Sequence, residues 1–564
     1  MNYCWNVKTP DQEKIKLLCA ELGISFFFSK LLVSRGLSDI NQVKEFLSPT
    51  LDKLPNPFLL KGMEKSVERI IQAIESSEKI AIYGDFDCDG ITSTAILYDF
   101  LKRVEGNAVF YNPQRIEEGY GINFKSIEKL SSEGVTLIIS TDCGISENEV
   151  VEKSKTLNID FIITDHHTAP EILPEAVSIV NPKQSDCEYP FKEICAAGVV
   201  FNLIMALRSE LRKREYFEFI KEPNLKRYLD LVAIATIADS MPITNINRIF
   251  VSNGLNEIPK TDKKGLLALI RNNDKKKYST RDVSFQVAPK INAAGRVGKA
   301  TNAVKLLVEE NPEEINSLVA IIDQDNSRRQ KIQEQVLTEA ISMSKDIIKQ
   351  DKDRNSLVLS SEDWHPGVIG IVASKISENF SRPCAIISLK NGIGKGSLRT
   401  RSNINLYQVL KECESTLVQY GGHSGAAGIT IDNNEIENFS KIFESSVQNY
   451  EHKEEERFPD IDLDFDEINS KTLIDLQRME PFGRENENPT FVTHNLKIKS
   501  KKILKEKHLE IFLEKEETVR RAIWFNFSKQ LNVGETVDII YRIQKDNYSN
   551  YSNISLIVED LRST

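Results

Sequence analysis

The sequence predicts an α/β protein in three parts: a domain built on a parallel sheet, a smaller α/β domain joined to it by a long helix, and a terminal β-barrel. Three observations predict it. Between residues 61 and 300 short apolar runs, KIAIYG, VTLIIS and DFIIT, alternate with helical periods such as ITSTAILYDFLKRV and FNLIMALRSEL. Continuous apolar strands alternating with helices are the pattern of a parallel sheet covered on both faces. Residues 301–355 then hold a long polar helical period, NPEEINSLVAIIDQDNSRRQKIQEQVLTEAISMSKDIIKQ, with no Pro or Gly after its start. The last hundred residues carry five short strand patterns: LKIKSKKIL, HLEIFL, VRRAIWFNF, VDIIYRI and ISLIVED.

Taken in order, residues 1–60 show short amphipathic helical patterns ending in SPTLDKLPNPF, and read as an extension strapped onto the next domain. Residues 61–300 form the parallel-sheet domain and residues 301–355 the connecting helix. In residues 356–450, SLVLSS, CAIISL and AAGITI with glycine-rich turns predict the second α/β domain. The charge run EHKEEER reads as a solvated linker. Residues 457–564 fit a small Greek-key barrel such as the OB fold, a frequent platform for single-stranded nucleic acid. An SH3-like barrel would give the same pattern.

Composition narrows the class. With 564 residues, 40% hydrophobic and 28% charged, the chain is long enough for several globular domains. No apolar run approaches the roughly 20 residues that span a bilayer, and MNYCWNVKTPDQEKIK lacks the features of a signal peptide. The cytoplasm is therefore the expected location, with no membrane partner. Eight cysteines without a CxxC pair suggest neither a disulfide framework nor a structural zinc site. A net charge of −10 opposes nucleic-acid binding only if it is evenly spread. Carboxylates gathered round metal ions would make the whole acidic while phosphate-binding patches stay basic.

The acids stand where such a site would be. KIAIYG is followed by Asp85, Asp87 and Asp89, TLIIS by Asp142, and DFIIT by Asp165, His166 and His167; Asp239 ends the apolar helix DLVAIATIA. Ligands of open parallel sheets bind outside the carboxyl ends of the strands, so these side chains converge on one crevice. Carboxylates so placed repel unless a cation neutralises them. Oxygen donors with one or two imidazoles favour Mn²⁺ or Mg²⁺ over zinc, and two such ions clamp a phosphoryl displacement. A single strand-end Asp is more often a helix cap; six acids and a tandem His-His are not explained that way.

The motifs GDFDCDGITSTA, RIEEGYGI, TDCG, TDHH, NPK, AAGVVF, IADSMPI, PKINAAGRVG, DQDNSRRQ, WHPGVIGIVASKI, GGHSGAAG and EPFGRENENPTF, in that order, resemble those of RecJ-type exonucleases of the DHH phosphoesterase superfamily over nearly the whole chain. The resemblance implies a DHH domain, a DHH-associated domain and an OB-like barrel. It implies that Asp87 holds one ion, Asp142 bridges, and Asp89, His166 and Asp239 complete the second site, with Asp85 and Asp165 as further acids. His167 would face the scissile phosphate as general acid or charge stabiliser. Arg115 and Arg296 would contact phosphates beside the cut. Ser397 and Arg399 would hold a terminal 5′-phosphate, and Gly421, Gly422 and His423 would let the backbone approach the strand.

The implied activity is hydrolysis of single-stranded DNA from the 5′ end to mononucleotides, in DNA repair and recombination, with two Mn²⁺ or Mg²⁺ ions. A helicase and a single-strand-binding protein are the implied partners of a monomeric enzyme. Trp364 and His365 read equally well as packing residues. Lys290 and Leu398 stand where the family usually has Arg and Gly, and Leu398 bears on the terminal-phosphate pocket. In the barrel, strand alternation predicts Lys497, Lys499 and Lys501 on one face, with Trp524, Phe525 and Phe527 as stacking surfaces. The same aromatics could form the barrel core and the lysines protect an edge. A small-substrate hydrolase of the same superfamily lacks the extension and barrel, and a non-catalytic scaffold would lack several ligand positions. A nicotinamide dehydrogenase would need a G-x-G-x-x-G after the first strand.

Overall fold

The computed structural model describes residues 4–115, 118–119, 121–270, 275–450, 456–505, 507–527, 531–546 and 554–563. It divides into two units: Pro55–Asp239 with Gly254–Lys453, and Met1–Leu54 with Ser240–Asn253 and Glu454–Thr564.

In the larger unit, β1 (Lys79–Gly84), β2 (Ala108–Tyr111), β3 (Val135–Thr141), β4 (Asp160–Thr164) and β5 (Ser178–Val180) form a parallel sheet in the order β2-β1-β3-β4-β5. β1, β3 and β4 are almost wholly buried, as their apolar runs require. Helix α1 (Cys88–Arg103) starts at the end of β1, and α2 (Ala196–Lys213) and α3 (Leu229–Ala238) follow. α3 is buried along its length, and Asp239 caps its C-terminal end.

Helix α4 (Ala288–Val297) leads to α5 (Pro312–Gln350), the long connecting helix. Beyond it, β6 (Leu357–Ser361), helix α6 (Ile369–Phe380), β7 (Cys384–Lys390), β8 (Ile393–Arg399), β9 (Leu417–Gly422) and β10 (Ala426–Asp432) build a second, mixed sheet in the order β9-β10-β8-β7-β6.

In the smaller unit, β11 (Phe491–Leu504), β12 (His508–Lys515), β13 (Thr518–Phe525), β14 (Thr536–Lys545) and β15 (Ile554–Ser563) pair in the order β11-β12-β13-β15-β14, and β14 pairs again with β11. The sheet thus closes on itself, as in an OB-type barrel. Two expectations fail here. The first 54 residues, expected to belong with the domain that follows them, fall in one unit with the barrel: Leu18, Phe27, Phe28, Leu31 and Leu32 share one core with its Phe491, Ile511, Trp524 and Leu556. Full burial of such side chains contributes about 1.5–3 kcal/mol each, more than the local helical patterns alone could hold in place. Arg248 ties the inserted segment into the same unit by donating to the carbonyls of Phe46, Met479 and Glu480 at 2.7, 3.0 and 2.9 Å.

Nor do the three lysines share a face. A register shift between Ile498 and Ser500 sets Lys497 opposite Glu514 but Lys501 opposite the inward Ile511. Lys499 meets Glu514 at 2.7 Å, and Lys501 donates to the Leu531 carbonyl. One extra residue in a strand moves every later side chain to the other face. Trp524, 7% exposed, is barrel core, whereas Phe525 is 50% exposed. Among the described residues no helix is long and apolar enough to cross a membrane.

Candidate active site

The carboxyl ends of β1, β3 and β4 bring the acids and histidines together. Beyond β1 the chain turns through Asp85 and Phe86 into α1, and the turn is tight because two glycines face it. A Cβ on Gly90 would lie 2.6 Å from the Asp85 carbonyl oxygen, and one on Gly295 of α4 would lie 1.8 Å from that of Phe86. Asp87 caps α1, its Oδ1 accepting from the Asp89 and Gly90 N–H at 2.9 and 3.2 Å. The helix-cap reading of this residue is thus realised. Asp142 ends β3 in the left-handed region, φ 66°, which Asp tolerates better than most residues. The Asp89 carboxylate accepts from the Ala197 and Ala196 N–H at the start of α2, at 2.8 and 2.7 Å, which accounts for the AAGVVF motif.

Two sets of donors result. Asp85, Asp87 and Asp142 form one; Asp89, His166 and Asp239 form the other; in each, one donor atom per residue lies within 4.8 Å of the rest. Asp142 joins them: its Oδ1 is 3.1 Å from His166 Nε2, which is also 3.7 Å from Asp239 and 3.8 Å from Asp89. Asp142, His166 and His167 form a third, overlapping set. Asp85 Oδ1 and Asp142 Oδ1 are buried without a hydrogen-bond partner among the described residues, a costly state unless something else satisfies them.

The electrostatics agree. Burial, then the charge of Asp87, pushes Asp85 far above the carboxylate range and Asp89 up to about 7; burial, then Asp89, pushes Asp142 far up and Asp239 to about 8. Burial and His167 hold His166 down at about 3, so it is neutral and keeps a lone pair for a ligand. Hard oxygens with one neutral imidazole fit Mn²⁺ or Mg²⁺. Neither Cys88 nor Cys143 belongs to any of these sets, and the Cys143 thiol lies against the Tyr83 and Thr141 carbonyls instead.

Asp165 differs from the other acids. Its Oδ1 accepts from the His166 and His167 N–H at 2.7 and 3.1 Å and lies 2.7 Å from His167 Nδ1, while Oδ2 accepts from the Ile145 N–H at 3.1 Å. Burial opposes charge on the His167 ring, but this bond and the charge of Asp165 win and raise His167 to about 9. The arrangement suits Asp165 to orient His167 and keep its ring protonated rather than to hold an ion.

Arginines surround the acids. Arg115 lies over the Phe86 ring at 5.0 Å; Ile116, Glu117 and Tyr120 of its motif are outside the described residues. Arg296, on α4, donates to the Gly367 carbonyl at 3.1 Å. Burial, then Arg115, lowers it to about 10, with Arg329 and Arg399 adding to the repulsion and Asp87 opposing it. Arg399 Nη1 donates to Ser397 Oγ at 3.1 Å and to the Leu398 carbonyl at 2.7 Å. Leu398 itself is fully buried, on the face of β8 opposite Ser397 and Arg399. Lys290 is turned away as well, meeting Asp323 at 3.0 Å.

Gly421 pairs with Gly428, and Gly428 with Ser397, so a row of bare backbone runs across the sheet beside Ser397; a Cβ on Gly421 would meet nothing within 4 Å. Gly422, at φ 141°, and the exposed His423 form the turn that follows, closed by the His423 N–H on the Ala426 carbonyl at 2.8 Å. Sequence reasoning missed two supports. Asn292 accepts from the Cys88 N–H at 2.9 Å, and Asn112 donates to the Gly84 and Asp85 carbonyls at 3.1 and 2.9 Å. Asn292 lies inside the NAAGR motif; nothing in the sequence marks Asn112.

Comparison with known proteins matches this architecture. Residues 79–236 match the model of the DHH family, N-terminal domain, residues 353–449 the DHHA1 domain, and residues 459–560 the RecJ OB domain. The chain is 34% identical to the single-stranded-DNA-specific exonuclease RecJ of Bacillus subtilis, over 99% of this chain and 70% of that protein. It is 32% identical to RecJ of Haemophilus influenzae, over 92% and 94%. RecJ of Thermus thermophilus in complex with Mn²⁺ superposes with a TM-score of 0.85 at 27% identity, over 99% of this chain and 79% of that one; its Mg²⁺ complex gives 0.79. With the three domain models in chain order and relatives above 30% identity along most of its length, the chain belongs to the RecJ family of single-stranded-DNA-specific exonucleases.

Proposed function

We propose that this protein is a metal-dependent exonuclease that hydrolyses single-stranded DNA from the 5′ end to mononucleotides, in DNA repair and recombination. The observation that carries the reading is the pair of donor sets at the ends of β1, β3 and β4, joined by the 3.1 Å approach of Asp142 to His166, beside arginines that form no ion pair with a carboxylate among the described residues. Asp85, Asp87 and Asp142 would hold one Mn²⁺ or Mg²⁺ ion, and Asp89, His166 and Asp239 would hold the other. Bound ions lower the pKa of a coordinated water and stabilise the charge of the transferring phosphoryl group.

The chain's own residues do the rest. Asp165 fixes the tautomer and direction of His167, whose ring carries a proton to the developing charge or leaving oxygen. Arg296 and Arg115 neutralise the phosphates beside the cut. Ser397 and Arg399 suit a terminal phosphate: a guanidinium pairs it bidentately and a hydroxyl adds a bond. The bare backbone at Gly421 and Gly422 and the turn at His423 admit the strand alongside. Domain bounds of 61–300, 301–355, 356–450 and 457–564 assign chemistry to the first and third and strand capture to the barrel. The reading includes a cytoplasmic monomer supplied with strands by a helicase and a single-strand-binding protein.

The test is digestion of 5′- and 3′-labelled single and double strands with Mn²⁺, Mg²⁺ or chelator. Loss of the 5′ label first, from single strands and only with metal, supports the reading; attack from 3′ ends or on intact duplex overturns it.

A further inference from the structure

About half of the described arginines of the larger unit face a carboxylate. Arg69 meets Glu78 and Asp160, Arg214 meets Glu68 and Glu75, and Arg227 meets Asp99 and Asp262. Arg329, on the connecting helix α5, meets none among the described residues. Its terminal nitrogens donate instead to Gln333 Oε1 and Asn326 Oδ1, both at 2.7 Å. Both amides lie on α5 itself, one turn to either side, and Gln333 is buried. An amide oxygen fixes the direction of a guanidinium without cancelling its charge, whereas a carboxylate does both.

The helix is held where that charge matters. Lys290 of α4 meets Asp323 of α5 at 3.0 Å. Asp325 packs on Gly298, just past α4, where a Cβ would come within 2.0 Å of its Oδ2. Arg329 follows Asp325 by four residues and so lies on the same helix face one turn along. Its charge is among those acting on Arg296, together with Arg115 and Arg399. Mutually repelling guanidiniums gathered without a paired carboxylate are the footprint of a polyanion.

We propose that Arg329, aimed by Gln333 and Asn326, binds a backbone phosphate of the strand beyond those assigned to Arg115, Arg296 and Arg399, which makes α5 part of the strand-binding surface as well as a connector. The proposal rests on the function inferred above and adds a contact to it. The full-length chain, kept in chelator so that it cannot cut, is titrated with 5′-phosphorylated oligothymidylate over a series of KCl concentrations. For single strands, log K changes with log salt by about −0.7 per phosphate neutralised. Arg329→Gln should reduce the steepness of that slope by about 0.7 and weaken binding at low salt by about tenfold, the loss of one charge-assisted bond; Arg329→Lys should keep the parent slope.

Arg399→Gln in the same assay separates the failures. A parent slope in Arg329→Gln beside a reduced one in Arg399→Gln overturns the new contact and leaves the enzyme reading standing. Parent slopes in both overturn the new contact and the terminal-phosphate role of Arg399 together. Equal reduction in Arg329→Gln and Arg329→Lys also overturns the contact, because a phosphate pairing survives an exchange of one cation for another.

Discussion

The acidic cluster and the arginine set of the larger unit are both concentrations of like charge, yet they are built differently. The carboxylates sit on the ends of three buried parallel strands and two helices, and backbone N–H groups hold Asp87, Asp89 and Asp165. The arginines come from separate elements, α4, α5, β8 and the loop after β2, and carbonyls, amides or an aromatic ring hold them. Burial raises the pKa values of Asp85, Asp89, Asp142 and Asp239 and lowers those of Arg296, Arg329 and Arg399. A rigid strand-end frame suits ions that demand fixed coordination. A set gathered from several elements suits a long anion that touches them one after another. Each cluster stores repulsion that a ligand of opposite sign relieves.

The largest effects should come from the rigid cluster. Asp142→Ala or His166→Ala should leave a folded protein whose hydrolysis of single strands falls by several orders of magnitude, since losing a ligand disrupts the whole constellation; near-normal turnover by either variant would break the comparison at its acidic end. Metal should also govern stability. A carboxyl whose folded pKa exceeds its unfolded value of about 4 gives stability that is full below that value and lost as pH rises through the folded pKa. With Asp89 at about 7 and Asp239 at about 8, the melting temperature of chelated protein should decline from pH 6 to pH 9. Added Mn²⁺ should raise it more at pH 9 than at pH 6, and a gap that narrows with pH would contradict the stored repulsion.

Smaller and more selective effects belong to the arginines. Arg399→Ala should slow digestion of 5′-phosphorylated strands about 10- to 100-fold more than that of 5′-hydroxyl strands, as expected for a charge-assisted bond; equal slowing of both would give Arg399 a bracing role instead. The smallest effect sharpens the barrel. Phe525→Ala should leave melting unchanged and weaken binding of long strands by the roughly 1–3 kcal/mol of one stacked base. Trp524→Ala should lower stability by about 3–5 kcal/mol, and the reverse pattern would return Trp524 to the binding face.

The strand-end acids were legible in the sequence because a buried parallel strand has little freedom of register: the residue after an apolar run must stand at the sheet's edge. Asp85, Asp142, Asp165 and His166 follow from that rule alone. The lysines of β11 were not legible. Their face depends on a register shift between Ile498 and Ser500, and a polar outer face gives a bulge no hydrophobic signature. Asn112, which reaches back to Gly84 and Asp85, and the docking of the first 54 residues on the barrel depend on contacts between distant segments that no local pattern encodes. Asp165 was visible as an acid, but its orienting role becomes visible only with the N–H groups around it.

The central claim, that two cations share Asp142, is tested most directly by anomalous diffraction from crystals soaked in Mn²⁺. The account predicts two peaks about 3.5 to 4 Å apart, one among Asp85, Asp87 and Asp142 and one among Asp89, His166 and Asp239. A single peak at full Mn²⁺ saturation, or peaks at the cysteines or elsewhere, would contradict it.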